Sequence, residues 1–374
     1  MTDNVIPLYK PDIGNKELTA IKDVLNSKIL SRGPQIQAFE DEFAGFLGKK
    51  YAVAVNSGTS ALHLIVKSMG WKKGDEVITT PFSFIASGNA LLYENIKPVF
   101  SDINPFSFNL DPCQAKEKIT QKTKGILLVN IFGLPAYDNK FKAIKKKNGV
   151  SFIEDSCESL GRPSKKFRAG TLGEASAFGF YSNKQITTGG EGGIIVTDNR
   201  EIAEFCRSAR DQGRSNKRDW LNHVILGYNY RMTEIQAAIG RVQLKKFDKI
   251  SDKKARIAQK YKELLKDIPG ISLPYESNDR IRSWFIYYIL AKDNLLRELL
   301  IQKLAENNIQ SHRYFPSIHL FPHYKKFRYN LGDFPVSEKI SDTLVALPFH
   351  SELSEREMFK IVAIIRSVAN EYCK

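Results

Sequence analysis

A chain of 374 residues is long enough for roughly two domains. Its 42% hydrophobic content and 15 prolines describe a globular chain with ample core, and no apolar run approaches the ~18 residues of a membrane span. The excess of 56 Lys+Arg over 41 Asp+Glu, a net +15, raises nucleic acid as a partner. However, the lysine runs (Lys140, Lys142, Lys145 to Lys147, and Lys245 to Arg256) fall in amphipathic helical patterns and read as solvated faces, with no nucleic-acid motif beside them. No nucleic-acid partner is expected, while a positive field favours a phosphorylated small substrate. The four cysteines show no CxxC or zinc spacing, and no secretory pattern opens the chain, so reduced thiols in the cytoplasm are expected.

In chain order, an N-terminal arm leads to a helix over Asn15 to Ser27, whose Leu18, Ile21, Val24 and Leu25 share a face. A loop at Ser31–Pro34 and a helix to about Leu47 follow. Strands are then expected at Tyr51–Val55, Glu76–Thr79, Lys97–Asp102, Lys124–Ile131 and Val150–Glu154. They alternate with helices at Thr59–Met69, Ser83–Glu94, from Asp111-Pro112, and at Asp138–Lys147. This alternation implies an α/β fold with a mainly parallel sheet covered by helices on both faces. Strands at Ala175–Tyr181 and Gly193–Thr197 flank a glycine-rich bend, then come a helix at Arg200–Arg210 and a polar loop from Asp211 to Asp219. Thr233 to Lys266 is expected as helix broken once, and Pro269-Gly270 marks a boundary. The remainder is a smaller α+β unit with a strand at Trp284–Ala291 and helices at Asn294–Asn307 and Glu352–Asn370. The expected division is a large domain over 1–250, including the arm, and a small one over 251–374.

Ligands of open parallel sheets bind beyond the carboxyl ends of the strands. Three such ends carry polar chemistry here. Asn56-Ser57-Gly58-Thr59-Ser60 suits a phosphate cradle at a helix N-terminus, or a plain N-cap. Glu154-Asp155-Ser156-Cys157-Glu158 places carboxylates at the end of an apolar strand, to face a cation or to cap a helix. Lys184 follows a buried strand and precedes Gly189, Gly190, Gly192 and Gly193, either as a surface lysine or as a free amine for a carbonyl. Pyridoxal phosphate needs all three features: a cradle, an acid for its ring nitrogen and a lysine. An aromatic clamp is also needed, and Phe84 in Thr80-Pro81-Phe82-Ser83-Phe84 stands at a fourth strand end, unless it is core.

The segments NSGTSALHL (56–64), TTPFSFIASGNA (79–90), FIEDSCESLG (152–161), FGFYSNKQITTGGEGG (178–193), ARDQGR (209–214), LGYNYRMTEIQAAIG (226–240) and RYFPSIHLFPHY (313–324) resemble the sugar-nucleotide aminotransferases of the DegT/DnrJ/EryC1/StrS family, fold-type I pyridoxal phosphate enzymes. The resemblance implies Lys184 as the Schiff-base lysine and proton shuttle, and Asp155 on the pyridine nitrogen. It also implies Glu158 near the phenolic oxygen, Phe84 on the ring, and Gly58 and Thr59 on the phosphate. Asn229 is implied to reach the phosphate of a neighbouring subunit, so a homodimer is expected. The family often has serine where this chain has Gly179, which leaves that phosphate contact to Ser57 or Ser182, and the bend carries one more glycine than the commoner TTGEGG. Family members that deoxygenate sugars have histidine in place of the lysine, so Lys184 implies transamination. The implied cycle takes nitrogen from glutamate through pyridoxamine phosphate to a nucleoside-diphosphate keto sugar. ESLG, NKQITTG and DQGR look most like the perosamine branch, which acts at C4 of 4-keto-6-deoxyhexoses for products such as lipopolysaccharide O-antigen. A 3-keto sugar, a keto-cyclitol, or a cofactor-binding regulator without turnover are the alternatives. Substrate contacts are expected from Ser31, Arg32, Gly33, Arg231, Arg313 and His319, with a structural histidine as the other reading of His319. No metal site is expected.

Overall fold

The computed structural model describes residues 5–136, 138–161, 168–215 and 222–374, so the loop expected from Asp211 to Asp219 lies partly outside the described residues. Helices α1 (Asn15–Ser27) and α2 (Pro34–Leu47) precede the first strand. Pro34 opens α2, where its missing N–H costs nothing. The chain then alternates through β1 (Tyr51–Val55), α3 (Gly58–Ser68), β2 (Glu76–Thr79), α4 (Ala86–Tyr93), β3 (Lys97–Phe100), α5 (Pro112–Glu117), β4 (Thr123–Val129), α6 (Asn139–Asn148) and β5 (Ser151–Asp155). Strands β6 (Ala175–Gly179) and β7 (Gly193–Thr197) follow with no helix between them, then α7 (Arg200–Arg210) and α8 (Glu234–Leu265). The last unit holds β8 (Ile271–Ser272), β9 (Tyr287–Ala291), α9 (Asn294–Glu306), α10 (Pro335–Thr343), β10 (Leu344–Leu347) and α11 (Glu355–Tyr372).

Seven strands form one sheet in the order β1-β7-β6-β5-β4-β2-β3. Pairings from β3 to β6 are parallel, while β7 runs antiparallel to both β6 and β1. The bend from Tyr181 to Gly192 contains no helix, and β7 returns alongside β6. Helix α3 packs on this sheet through Leu62, Leu64 and Ile65, in one core with Val53, Val55 and Ile195.

Helix α8 is continuous, which corrects the expected break. Gly240, its helix-weakening residue, is there for space: a Cβ would lie 2.8 Å from the Phe39 ring and 2.9 Å from Thr188 Cγ2. The apolar partners of α8 change along its length. Leu244, Phe247 and Ile250 pack with α2 and β6, whereas Ile257, Tyr261 and Leu265 join the core of the last unit. That unit has a three-stranded antiparallel sheet, β10-β9-β8, where one strand was expected. The arm crosses onto it, with Ile6 N–H donating to Asn308 O at 2.9 Å and Phe349 N–H to Leu8 O at 2.8 Å.

Several ends differ from expectation by a few residues. Strand β3 stops at Phe100, because Asp102 turns its carboxylate to the N–H groups of Val336 and Ser337, both at 2.9 Å, and so caps α10. Helix α4 starts at Ala86, three residues late, after a buried turn in which Thr80 Oγ1 accepts from Phe82 N–H at 3.0 Å. Among the described residues no helix is long and apolar enough to cross a membrane.

Candidate active site

The carboxyl ends of β1, β5 and β6 open on one cavity of about 760 Å³. At the first, Ser57 caps α3, its Oγ accepting from Ser60 N–H at 3.1 Å, and Gly58 and Thr59 form the first helical turn on the cavity wall. The positive end of the helix dipole and its unused N–H groups therefore face the cavity. Gly58 is required by packing, since a Cβ would lie 2.7 Å from Cys157 Sγ. The bend closes against the same turn: a Cβ on Gly193 would lie 2.3 Å from the Ser57 carbonyl oxygen.

At the second end, strand alternation separates the two acids of β5. Glu154 turns away from the cavity and accepts from the N–H groups of Gly170, Leu172 and Gly173 at 2.7–2.8 Å, an entirely structural role. Asp155 turns into the cavity. Its Oδ2 accepts from Ser87 Oγ at 2.6 Å and its Oδ1 from Cys157 N–H at 3.0 Å, so the carboxylate is fixed. Glu158 lies one turn further, accepting from Phe132 N–H at 3.1 Å. Burial pushes its carboxyl up to about 7, helped by the charge of Asp155 and opposed by Lys184 and the Phe132 N–H.

At the third end, Lys184 reaches back over the sheet. Its Nζ is 3.8 Å from Glu158 Oε1 and 4.1 Å from the centroid of the Phe285 ring, and the side chain is 15% exposed. The surface-lysine reading therefore fails. Phe84 is not core either. It is 57% exposed at the cavity wall, 6.3 Å from Phe315 between ring centroids, while Phe82 takes the buried position. Arg313 lines the mouth, and its guanidinium is 3.3 Å from Glu298.

The remaining expected residues lie outside this lining. Ser182 lines a smaller cavity behind Lys184. Asn229 is exposed and bridges in backbone to Asp211. Arg231 and Arg32 both turn to Asp211, at 2.8 and 3.4 Å. Ser31 is exposed, and Gly33 N–H donates to Glu234 at 3.0 Å. His319 is fully buried, with Nε2 3.0 Å from Glu338 Oε1 and Nδ1 without a partner among the described residues.

Other residues of the site escaped the sequence reading. Ser87, inside the TTPFSFIASGNA segment, donates to Asp155 from outside the lining and is not singled out by the sequence because one serine in a helix start is ordinary. Phe285 carries no motif because it arrives from the last unit. Cys157 fills the space between Gly58 and Gly179, and burial raises its thiol well above the ordinary range, so it stays neutral. Asn183, next to the lysine on the cavity wall, has a buried Oδ1 with no partner among the described residues.

These features fit pyridoxal phosphate: a helix N-terminus freed by Gly58, an amine, a fixed carboxylate, an exposed ring and an unpartnered amide oxygen. The sequence matches the DegT/DnrJ/EryC1/StrS aminotransferase family over residues 11–366. The chain belongs to this family. The aminotransferase is 34% identical to a GDP-perosamine synthase of Vibrio cholerae, over 98% of this chain and 100% of that protein. Its fold is similar to that of a Helicobacter pylori aminotransferase involved in pseudoaminic acid biosynthesis, with a TM-score of 0.92 and 28% identity over 98% and 100% of the two chains. It is also similar to a Bacillus subtilis protein solved with the bound cofactor pyridoxamine phosphate, with a TM-score of 0.88 and 28% identity over 96% of this chain and 83% of that one. The enzyme is thus a pyridoxal phosphate-dependent sugar aminotransferase.

Proposed function

We propose that the enzyme moves the amino group of glutamate to the keto group of a nucleoside-diphosphate sugar, a 4-keto-6-deoxyhexose of the kind aminated in perosamine synthesis. The reading is carried by Lys184, Asp155, Glu158 and the α3 N-terminus facing one cavity, in a chain 34% identical to a GDP-perosamine synthase. When bound, pyridoxal phosphate supplies an aldehyde for amines and a ring that withdraws electrons from the substrate carbon. The first-turn N–H groups of α3, with Ser57 and Thr59, hold its phosphate, and Ser182 stands behind them in reserve. Asp155 keeps a proton on the ring nitrogen, and Phe84 covers the ring. Lys184 holds the cofactor at rest; once released, its neutral Nζ takes the proton from the donor Cα and delivers it to the cofactor C4′. Glu158 shares a proton with the phenolic oxygen, which its pKa of about 7 suits.

The functional unit in this reading is a homodimer of two-domain subunits, 1–250 and 251–374. Asn229 serves the partner's phosphate, and Ser31, Arg32, Gly33 and Arg231 serve the partner's substrate, while Arg313 stands at the mouth of its own cavity. The exposed Leu18, Leu25, Ile29 and Leu30 beside α1 support a covered face there.

Incubation with nitrogen-labelled glutamate and a panel of keto sugar nucleotides tests the proposal. The expected result is 2-oxoglutarate and a label at C4 of the sugar, slowed about 10²–10⁴-fold by Lys184→Ala. Label on a 3-keto sugar or a cyclitol alone would refute the substrate. No 2-oxoglutarate with any acceptor would make the protein a regulator that binds the cofactor.

A further inference from the structure

Lys184 is followed by Gln185, a residue with no part in the chemistry above. Gln185 is buried, and its side-chain amide nitrogen donates twice. One hydrogen goes to the backbone carbonyl of Glu158 at 2.6 Å and the other to that of Ser283 at 3.0 Å. These acceptors belong to separate segments, the turn after β5 that carries Glu158 and the stretch of the last unit that leads into β9. An amide NH2 has two hydrogens to give, and here each reaches a different part of the chain.

The Ser283 stretch lies tightly against the site. Ser283 N–H donates to Gly133 O at 2.8 Å, its Oγ donates to Leu160 O, and the Arg282 guanidinium donates to Phe132 O at 2.9 Å. A Cβ on Gly133 would lie 1.8 Å from the Ser283 carbonyl oxygen, so glycine is needed for the approach. Phe132 N–H in turn donates to the Glu158 carboxylate at 3.1 Å. Two residues beyond Ser283, Phe285 brings its ring to 4.1 Å from Lys184 Nζ, and Glu158 Oε1 lies 3.8 Å from the same nitrogen. Two groups set against the amine thus come from distant segments, and Gln185 is bonded to the backbone of both.

We propose that Gln185 is a positioning residue for the reaction. Its amide ties the Glu158 turn and the Ser283 stretch to the bend that carries Lys184, so that the Glu158 carboxylate and the Phe285 ring keep fixed places around the Lys184 nitrogen. The residue type follows from the two acceptors. A carboxylate at this position has no hydrogen to give, and an apolar side chain leaves two buried carbonyls short of a donor. Asparagine shortens the stem by one methylene and cannot hold both. The amine gains from walls that do not drift, because a small displacement at reacting atoms costs a large factor in rate.

The inference rests on the reading of Lys184 as the cofactor lysine, and the test keeps the two apart. Amide hydrogen exchange is followed first, on the full chain without cofactor. Gln185→Leu is expected to speed exchange about tenfold in the peptides carrying Glu158–Leu160 and Ser283–Phe285 together. The amides of Ile6 and Phe349, which join the arm to the last unit, are the reference and keep their rate. Pyridoxal phosphate is then added at a series of concentrations, and its covalent capture is followed by absorbance. The limiting rate of capture is expected to fall about 10–100-fold, with the half-saturating concentration within about twofold of the native value. Gln185→Asn, gentler on the fold, is expected to give the same pattern at smaller size, and it decides the matter if the Leu variant does not fold. An unchanged limiting rate, or exchange that quickens equally at the reference amides, overturns the inference. Borohydride reduction and peptide mapping of the same samples show whether the cofactor is on Lys184. Label elsewhere overturns the reading beneath the inference and leaves the exchange result standing.

Discussion

Glu158 and Asp155 are three residues apart, yet the fold treats them differently. Asp155 is given two donors and stays fixed, while Glu158 has one backbone N–H and a lysine 3.8 Å away. Because burial raises Glu158 from 4.5 to about 7, the unfolded chain gives up this proton first as pH rises. Stability of the cofactor-free protein is therefore fully present below pH 4.5 and falls by about 3 kcal/mol as pH passes through 7. Glu158→Gln keeps an acceptor for Phe132 N–H and removes the titration. Urea unfolding at pH 5 and pH 8 should show the variant gaining on the native chain at the higher pH by about that amount. An equal gain at both pH values would contradict the burial argument.

The histidines act with the opposite sign. His63, His319 and His350 are all held below 6.5, chiefly by burial, so the unfolded chain takes up their protons more readily. Their contribution is complete above about pH 6.5 and is lost as pH falls below it. His350 has neither ring nitrogen hydrogen-bonded among the described residues, so a leucine in its place breaks no hydrogen bond. His350→Leu should therefore flatten the acid limb of a plot of urea midpoint against pH, whereas Glu158→Gln should leave that limb in place.

At the scale of elements, Gly179, which stands where the family resemblance implies a serine, has a local cause. A Cβ on Gly179 at the end of β6 would lie 3.3 Å from both Cβ and Sγ of Cys157, so the sulfur occupies the space beside the strand end. The pair is a coupled unit joining β6, the segment after β5 and the first turn of α3. Gly179→Ser alone should cost stability and cofactor affinity, and Cys157→Ala should relieve both. Thermal melts and cofactor titration of the two single variants and the double should give a coupling of about 0.5–3 kcal/mol. Strict additivity would mean that the sulfur and the serine do not compete.

For the whole molecule, the proposed dimer makes a claim about surface. Leu18 and Leu25 are 60% and 53% exposed on α1, and Leu30 is 50% exposed beside it. Apolar side chains grouped this way on a helix face want a cover. Leu25→Glu with Leu30→Glu should shift sedimentation from dimer to monomer and weaken cofactor binding if Asn229 serves the neighbouring subunit. A variant that stays dimeric, or a monomer that binds the cofactor unchanged, would separate the surface from the site.

Much of this was written along the chain itself. The helix–strand alternation, the glycine-rich bend, and Asp155 and Lys184 at their strand ends depend on local pattern and on chemistry that few contexts permit, so the order of residues was enough to find them. Folding in three dimensions settled the rest, because it depends on contacts between distant segments. The break expected in α8 is absent, with Gly240 letting Phe39 and Thr188 come close, and His319 lies buried beside Glu338. The arm crosses to the last unit through backbone bonds that no side-chain pattern encodes. Phe285, under the amine, arrives from the last unit, and nothing in the sequence around Lys184 points to it.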